Sequence, residues 1–386
     1  MRLVGVAALS LGACAAHAAP CAYVVHESSN TVSVVDLVAS TVTATVAVGE
    51  NPRAVALSPD GTRAYVVNGF ARTMSVIDTA TNTVVDTNPA GRDPRDVAVS
   101  SDGRRLYVAN GSSDAVGVLD AATLGFIVEE IPVGNAPRAV ALTPDDARAY
   151  VVSVVANRVS VIDTETTTVI DDIPVGAGPL DVAVSPDGRF AYVTNGNAVS
   201  AISTRTNRIE VSLRIGNSPR NVAVAPNGTR LYATNADTVF VIDTPAHVID
   251  LGRPVTSPRA LAVAPDSQRV YVASGHALLV LDPLARSVGA DIPVGDDPVS
   301  LAIADIAGRC GVPACVGDCG ADGAVTVDEV LTLVGITLGT ASMSACPSGD
   351  ADGDGEVGIA EIIAAVRGAL GECGPHSSLP NGAQIC

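Results

Sequence analysis

The chain has 386 residues and a net charge of −18, with 41 acidic residues against 23 basic ones, all of them arginine. A surplus of acid repels nucleic acid and anionic membrane surfaces, so we expect no nucleic-acid partner. Hydrophobic residues make up 47% of the chain, yet Trp is absent. The apolar residues are mainly Val, Ala, Leu and Ile, a composition that favours β-structure.

Residues 1–19 predict an export signal. Arg2 gives a charged start, and the apolar stretch from Leu3 to Ala16 is too short to span a bilayer. Small residues around His17 suit a cleavage site. Alternatively, the short run that ends in Cys14 resembles a lipoprotein signal, which would attach lipid to Cys14. We therefore expect a secreted, periplasmic or cell-surface protein, with a lipid anchor at Cys14 as the alternative.

A repeat of about 40 residues follows the signal. Each repeat carries one tyrosine, and a proline recurs in step with it. The tyrosines are Tyr23, Tyr65, Tyr107, Tyr150, Tyr192, Tyr232 and Tyr271. The prolines are Pro52, Pro94, Pro137, Pro179, Pro219, Pro258 and Pro298. Two residue types that recur at one period indicate a repeated structural unit.

Each repeat contains four short strand patterns separated by turn residues, as residues 52–91 illustrate. Four strands in about 42 residues are typical of a propeller blade. Residues 22–48 lack a first strand, whereas residues 298–305 form a first strand with nothing after it. These two fragments complete one blade, which predicts an all-β, seven-bladed β-propeller over residues 22–305, closed by its N- and C-terminal strands.

The repeats resemble the YVTN family of β-propeller repeats. The clearest copy runs over residues 179–195 and ends in Tyr192-Val193-Thr194-Asn195. The resemblance implies a propeller fold and an extracellular or surface location. We interpret the seven tyrosines as packing groups between blades.

The propeller sequence offers no recognisable catalytic motif. His26, His247 and His276 fall at three different repeat positions, so they do not predict a metal or catalytic cluster. An Asp that recurs after the third strand, such as Asp78, indicates turn chemistry. We therefore expect a non-enzymatic binding or scaffold protein. Two alternatives remain open: a propeller enzyme, lactonase-like or redox, carried on a docking tail, and a structural component of a surface layer.

A binding face is predicted at one end of the propeller. Arginine follows the repeated proline in five blades, at Arg53, Arg95, Arg138, Arg220 and Arg259. Apolar residues stand in loops that open on the same face, at Phe70, Val154 and Val155. We expect a cationic mouth for a partner or an anionic ligand. The alternative is that each arginine pairs with a neighbouring acid or carbonyl.

Two acidic loops near the C-terminus predict calcium binding. The loop over residues 350–361 fits the D-x-D-x-D-G-x5-E pattern, which places oxygen ligands around a hard cation. Its ligands would be Asp350, Asp352, Asp354, the Glu356 carbonyl and Glu361. The loop over residues 318–329 matches less completely, and its ligands would be Asp318, Asp322, the Ala324 carbonyl and Glu329. Calcium is the cofactor that these patterns favour.

Each loop is followed by a helical pattern, over residues 330–338 and 362–370. Loop-then-helix, twice, resembles a dockerin over residues 315–373, which implies a small α-helical module that docks to a protein partner in a calcium-dependent way. Residues at loop positions 10 and 11, Val327-Asp328 and Ile359-Ala360, depart from the dockerin pattern. This departure argues against a cohesin as that partner. Residues 306–314 would form a linker and residues 374–386 a tail.

Seven cysteines of an exported chain predict disulfides. In repeat register, Cys21 and Cys310 belong to the closing blade, so we expect them to pair. The four cysteines of the tail module can pair in three ways, and a clasp of Cys315 with Cys373 would leave Cys319 with Cys346. Cys386 would then be the odd thiol.

Overall fold

The computed structural model describes residues 19–306, except Asn217 and residues 283–286, and a few positions after Ile306. The chain divides into two compact units, Pro20–Ile306 and a unit formed by Met1–Ala19 with Ala307–Cys386. The predicted export signal, both calcium loops and the dockerin-like helices lie outside the described residues, apart from Ala19, Val334 and Ile362. Of the second unit, the structure describes the paired strands β29 (Ser377–Ser378) and β30 (Gln384–Ile385).

The first unit consists of seven four-stranded antiparallel sheets, which we number as blades 1 to 7. Blade 1 contains β1 (Ala19–His26), β2 (Thr31–Asp36), β3 (Thr41–Ala47) and, from the end of the unit, β28 (Pro298–Ile306). Blade 2 contains β4 (Pro52–Leu57), β5 (Arg63–Asn68), β6 (Thr73–Asp78) and β7 (Thr83–Pro89); blade 3 contains β8 (Pro94–Val99), β9 (Arg105–Asn110), β10 (Ala115–Asp120) and β11 (Phe126–Pro132). Blade 4 contains β12 (Pro137–Leu142), β13 (Arg148–Ser153), β14 (Arg158–Asp163) and β15 (Thr168–Pro174); blade 5 contains β16 (Asp181–Val184), β17 (Phe190–Asn195), β18 (Ala198–Ser203) and β19 (Arg208–Arg214). Blade 6 contains β20 (Val222–Val224), β21 (Arg230–Thr234), β22 (Thr238–Asp243) and β23 (Val248–Pro254); blade 7 contains β24 (Pro258–Val263), β25 (Val270–Ser274), β26 (Ala277–Asp282) and β27 (Ser287–Pro293).

The ring is closed within blade 1. Strand β28 lies beside β1, in the sheet order β28-β1-β2-β3. The inner strands of successive blades contact one another around the axis, including β28 with both β24 and β4. The predicted seven-bladed, all-β propeller and its closure by the two terminal strands are therefore confirmed.

A hydrogen-bonded turn joins the first and second strands of most blades. In blade 2, Ser58 Oγ donates to Asp60 Oδ1 at 2.6 Å and accepts from the Arg63 amide at 2.9 Å. Gly61 completes this turn at φ +68°, a conformation that disfavours a side chain. The Ser58 hydroxyl holds the pKa of Asp60 below its usual range. The same arrangement recurs at Asp102 and Asp187.

The tyrosines pack between blades, as predicted from the repeat. None of the seven is more than 2% exposed. The Tyr23 hydroxyl donates to Asn82 Oδ1 in the next blade at 2.8 Å, and Tyr150 contacts Asn207 in the same way at 3.0 Å. The seven tyrosines therefore fill the space between sheets, and the hydroxyls of Tyr23, Tyr150 and Tyr192 also contact a turn of the neighbouring blade.

Cys21 lies in the closing blade and is 1% exposed. It is disulfide-bonded. Cys310 and the four cysteines of the tail lie outside the described residues, so the pairing of Cys21 with Cys310 stays a prediction. Within the part of the chain that the structure describes, no helix is long and apolar enough to cross a membrane.

Candidate active site at the channel mouth

The inner strands all begin at one end of the axial channel, where they surround a cavity of about 580 Å³. All five arginines predicted from the repeat line this cavity: Arg53, Arg95, Arg138, Arg220 and Arg259. Leu180 and Val299, which take the arginine position in the other two blades, line it as well. The ring geometry therefore brings together residues that are far apart in sequence.

Three of the arginines are paired with acids, as the alternative interpretation expected. Arg53 contacts Glu27 at 2.8 Å, and Arg259 contacts Asp297 at 2.8 Å. Arg95 contacts Asp93 at 2.7 Å. Their charges are largely neutralised where they stand.

Arg138 and Arg220 differ from these three. Within the described residues neither has an acidic partner within 4.0 Å. They belong to blades 4 and 6 and flank blade 5, whose inner strand carries Leu180 at the same position. Burial lowers the pKa of Arg138, and the nearby Asp181 opposes this effect. A guanidinium nevertheless stays protonated, so this side of the mouth keeps positive charge.

Two carboxylates interrupt the repeat directly behind the arginine ring. The position after the arginine is alanine in three blades, at Ala54, Ala139 and Ala260. In the other blades it is Asp96, Asp181, Asn221 and Ser300, and all four of these residues line the cavity. Unlike polar residues from different blades thus converge on one site, which is how a propeller builds a reactive centre on a repeated scaffold.

Both carboxylates accept hydrogen bonds from the next blade. Asp96 Oδ2 accepts from the Val140 amide at 2.9 Å, and Asp181 Oδ2 accepts from the Val222 amide at 2.9 Å. Burial outweighs these bonds and raises the pKa of Asp96 to about 7 and that of Asp181 to about 6. Asp181 also raises the pKa of Asp96 by repulsion. The site therefore holds two carboxyl groups that exchange protons near neutral pH.

Our sequence analysis missed Asp96 and Asp181. The cavity residues predicted from the sequence are those that recur from blade to blade. Asp96 and Asp181 do not recur and are visible only as departures from the repeat. Aligning the seven segments on their prolines and scanning the second position after each would have found them. The recurrent Asp after the third strand is turn chemistry, as expected, since Asp78 Oδ1 accepts from the amides of Ala80 and Thr81.

The apolar residues predicted at the rim are in the loops between second and third strands. Phe70 is 71% exposed, and Val155 is 70% exposed. Val154, beside it, is half-buried. The Phe70 ring centroid lies 6.0 Å from the Arg53 guanidinium carbon, which fixes the ring beside a cavity-lining residue.

Two of the three histidines, His26 and His276, contact Asp296, and His247 lies apart from them in blade 6. His26 is buried in the closing blade, between the Asp296 carbonyl and Ser33 Oγ, each at 2.9 Å. His247 contacts the Tyr192 hydroxyl at 3.3 Å, and the exposed His276 contacts Asp296. Among the described residues, no group of three or more His, Cys, Asp or Glu side chains is placed to hold a metal ion.

Together these features define a seven-bladed propeller with an asymmetric, polar cavity at one end of its axis. The chain belongs to the family described as "Lactonase, 7-bladed beta-propeller", whose model matches residues 14–133 and 126–244. A comparison with curated proteins found no match.

Solved structures share the fold at low sequence identity. Hydrazine synthase of Kuenenia stuttgartiensis aligns with a TM-score of 0.61 at 23% identity, covering 64% of this chain and 88% of that chain. A functionally unknown protein from Desulfotomaculum acetoxidans DSM 771 aligns with a TM-score of 0.66 at 17% identity, covering 73% of this chain and 98% of that chain. These similarities concern the fold.

The prediction that the protein is not an enzyme is wrong. The family match points to an enzyme-like group of propellers. The sequence analysis discounted an enzyme because it found only repeated residues, and it overlooked the unlike residues at the mouth. The finding favours the alternative that it kept open, a lactonase-like propeller.

Proposed function

We propose that the propeller hydrolyses a cyclic ester, a lactone, at the mouth of its channel. The observation that carries this proposal is the pair Asp96 and Asp181, which line one cavity with pKa values near neutrality. An acid and a base that both work at pH 7 are what ester hydrolysis needs. Membership of the family supports the choice of a lactone as substrate.

The reaction divides between the two carboxyl groups. Asp181, with the lower pKa, is largely ionised at pH 7 and takes a proton from the attacking water. The water oxygen bonds to the lactone carbonyl carbon. Asp96 keeps its proton more often, and delivers it to the ring oxygen as the bond between that oxygen and the carbonyl carbon breaks. The product is a hydroxy acid.

Arg138 stands in the blade between the two carboxylates. Its charge interacts with both of them, as the effects on their pKa values indicate. In the reaction it stabilises the negative charge that forms on the carbonyl oxygen. Together with Arg220, it also provides a site for an anionic group of the substrate, since neither arginine has an acidic partner among the described residues.

The test is proton release from a panel of five- and six-membered lactones, followed in a pH-stat. Asp96→Asn and Asp181→Asn should each lower kcat by about 10²- to 10⁴-fold, the usual contribution of a positioned acid or base. An amide keeps an acceptor for the Val140 or Val222 amide, so the blades should stay joined. Asp86→Asn, at an exposed site on the outer strand β7, is the matched control. Unchanged turnover in both active-site variants would contradict the proposal.

We further propose that the propeller is exported and carries a calcium-dependent docking module. This rests on the sequence of residues 1–19 and on the acidic loops at 318–329 and 350–361. The test is a pull-down of the full chain from the extracellular fraction with calcium and with EDTA. A partner retained only with calcium supports docking, and equal recovery in EDTA argues against it.

A further inference from the structure

The rim of the mouth is uneven. Blades 1 to 4 join their second and third strands through four-residue loops, at residues 27–30, 69–72, 111–114 and 154–157. Blades 5 to 7 use loops of two or three residues, at 196–197, 235–237 and 275–276. The rim of the cavity is therefore formed by longer loops on the side of blades 1 to 4 and by shorter loops on the side of blades 5 to 7. We call the longer loops the wall of the cavity.

Phe70 is an unusual occupant of that wall. At the equivalent loop position, blades 1 and 3 carry Ser28 and Ser112. A phenylalanine that is 71% exposed gains no stability from burial in the fold. The loop holds it in place, because the Gly69 and Ala71 amides donate to the Asn51 and Glu50 carbonyls at 2.8 and 3.3 Å. The ring is thus presented at the cavity edge.

The cavity wall below Phe70 is also the least charged part of the mouth. The Arg53 charge is offset by Glu27 at 2.8 Å, and Phe70 lies near its guanidinium. The neighbouring inner strand, β28, carries Val299 where five other blades carry arginine. Phe70, at the rim beside Arg53, and Val299, in the cavity lining of the adjacent blade, are thus apolar residues of neighbouring blades, and we refer to them as the apolar sector; Arg138 and Arg220 stand in blades 4 and 6.

We propose that the apolar sector, Phe70 and Val299, binds an alkyl substituent of the lactone, so that the enzyme prefers lactones with an apolar chain. This inference rests on the proposed function and names the substrate class of the same site. The ester lies between Asp96 and Asp181, and the chain extends along the wall under the blade 2 loop. Each methylene that leaves water for this sector strengthens transition-state binding.

The experiment compares γ-lactones that carry no substituent or a straight chain of two, four or six carbons. In the wild type, kcat/KM should rise about 3-fold per methylene over the first carbons, the worth of one buried CH₂ group. Phe70→Ala should lower kcat/KM for the six-carbon lactone about 10-fold more than it lowers kcat/KM for the unsubstituted lactone. Val299→Arg, which completes the arginine ring, should remove the dependence on chain length.

Val155→Ser is the matched control, because Val155 is 70% exposed at the equivalent loop position of blade 4. It should preserve the chain-length dependence, and a loss equal to that of Phe70→Ala would overturn the assignment to this sector. A flat dependence in the wild type overturns the inference while hydrolysis of the unsubstituted lactone upholds the proposed function. No hydrolysis of any lactone contradicts the proposed function itself. Melting temperatures within about 2 °C of the wild type show that the variants are folded.

Discussion

The two ends of the propeller obey the same repeat to different degrees. At the end opposite the mouth, the turns between first and second strands share one design in blades 2, 3 and 5, in which a serine hydroxyl bonds an aspartate two residues on, at Ser58, Ser100 and Ser185. At the mouth, the corresponding positions of the inner strands diverge to Asp96, Asp181, Asn221 and Ser300. The serine turns contribute to the stability of the fold, and we propose that the divergent positions at the mouth serve chemistry. Four predictions test this division, from the largest expected effect to the smallest.

The largest effect is expected where space is lacking, in the loop that leads into the inner strand of blade 5. A Cβ at Gly176 would lie 2.3 Å from Asn195 Oδ1, whereas a Cβ at Gly178, in the same loop, would meet nothing within 4 Å. Gly176→Ala should lower the free energy of unfolding by about 3 kcal/mol, because Asn195 must move. Gly178→Ala should cost only about 1–2 kcal/mol, for its φ of +58°. Urea denaturation measures both, and equal losses would contradict the packing argument.

Replacing an arginine of the mouth that has no acidic partner should lower kcat/KM more than replacing an arginine that is paired with an acid. Arg138→Met should lower kcat/KM about 30-fold or more, since an unpaired cation is available to the substrate. Arg95→Met should change it less than about 3-fold, because Asp93 already occupies that guanidinium at 2.7 Å. Steady-state kinetics on one lactone tests the pair. Similar losses at both sites would show that the ring acts as a whole.

Ionised carboxylates at the mouth should lower the free energy of unfolding. The pKa of Asp96 is raised in the fold, so its ionisation destabilises the protein as pH rises from about 4 to 7. Asp96→Asn should therefore raise the free energy of unfolding at pH 8 by about 1 kcal/mol, less than a buried group would give because water reaches the channel. At pH 4 the gain should vanish. Melting curves at both pH values measure it, and a variant less stable at pH 8 would contradict the prediction.

The carboxylates of the turns should stabilise the fold when they are ionised, unlike those of the mouth. This effect on stability should be the smallest of the four. The pKa of Asp60 is lowered by the Ser58 hydroxyl, so its contribution is present above pH 4 and is lost as pH falls below it. Asp60→Asn should lower the melting temperature by about 1 °C at pH 7, and the difference should shrink progressively as pH falls below 4. The exposed Asp86→Asn serves as the control. An equal shift at pH 7 and at pH 3 would point to a cause other than charge.

The sequence sufficed to predict the fold because its evidence is periodic. Tyr23 and its six counterparts recur at one spacing, and incomplete repeats at residues 22–48 and 298–305 predicted closure of the ring. The candidate site could not be predicted in the same way, because its residues are exceptions to the periodic pattern. Asp96 and Asp181 are ordinary residues in their local sequences, and only the ring geometry makes their positions equivalent and brings them to one cavity. Their pKa values depend on burial by several blades, which no single segment reveals.

The pairing of β28 with β1 has a consequence for how the molecule is made. The innermost strand of the first blade is the last of the ring to leave the ribosome or the export machinery. Until then Tyr23 and its neighbours have no partner on one side, and the growing chain can assemble only six complete sheets and one unfinished sheet. Release of a truncated product ending before Pro298 should therefore yield an open arc whose unpaired strand edge associates with other chains.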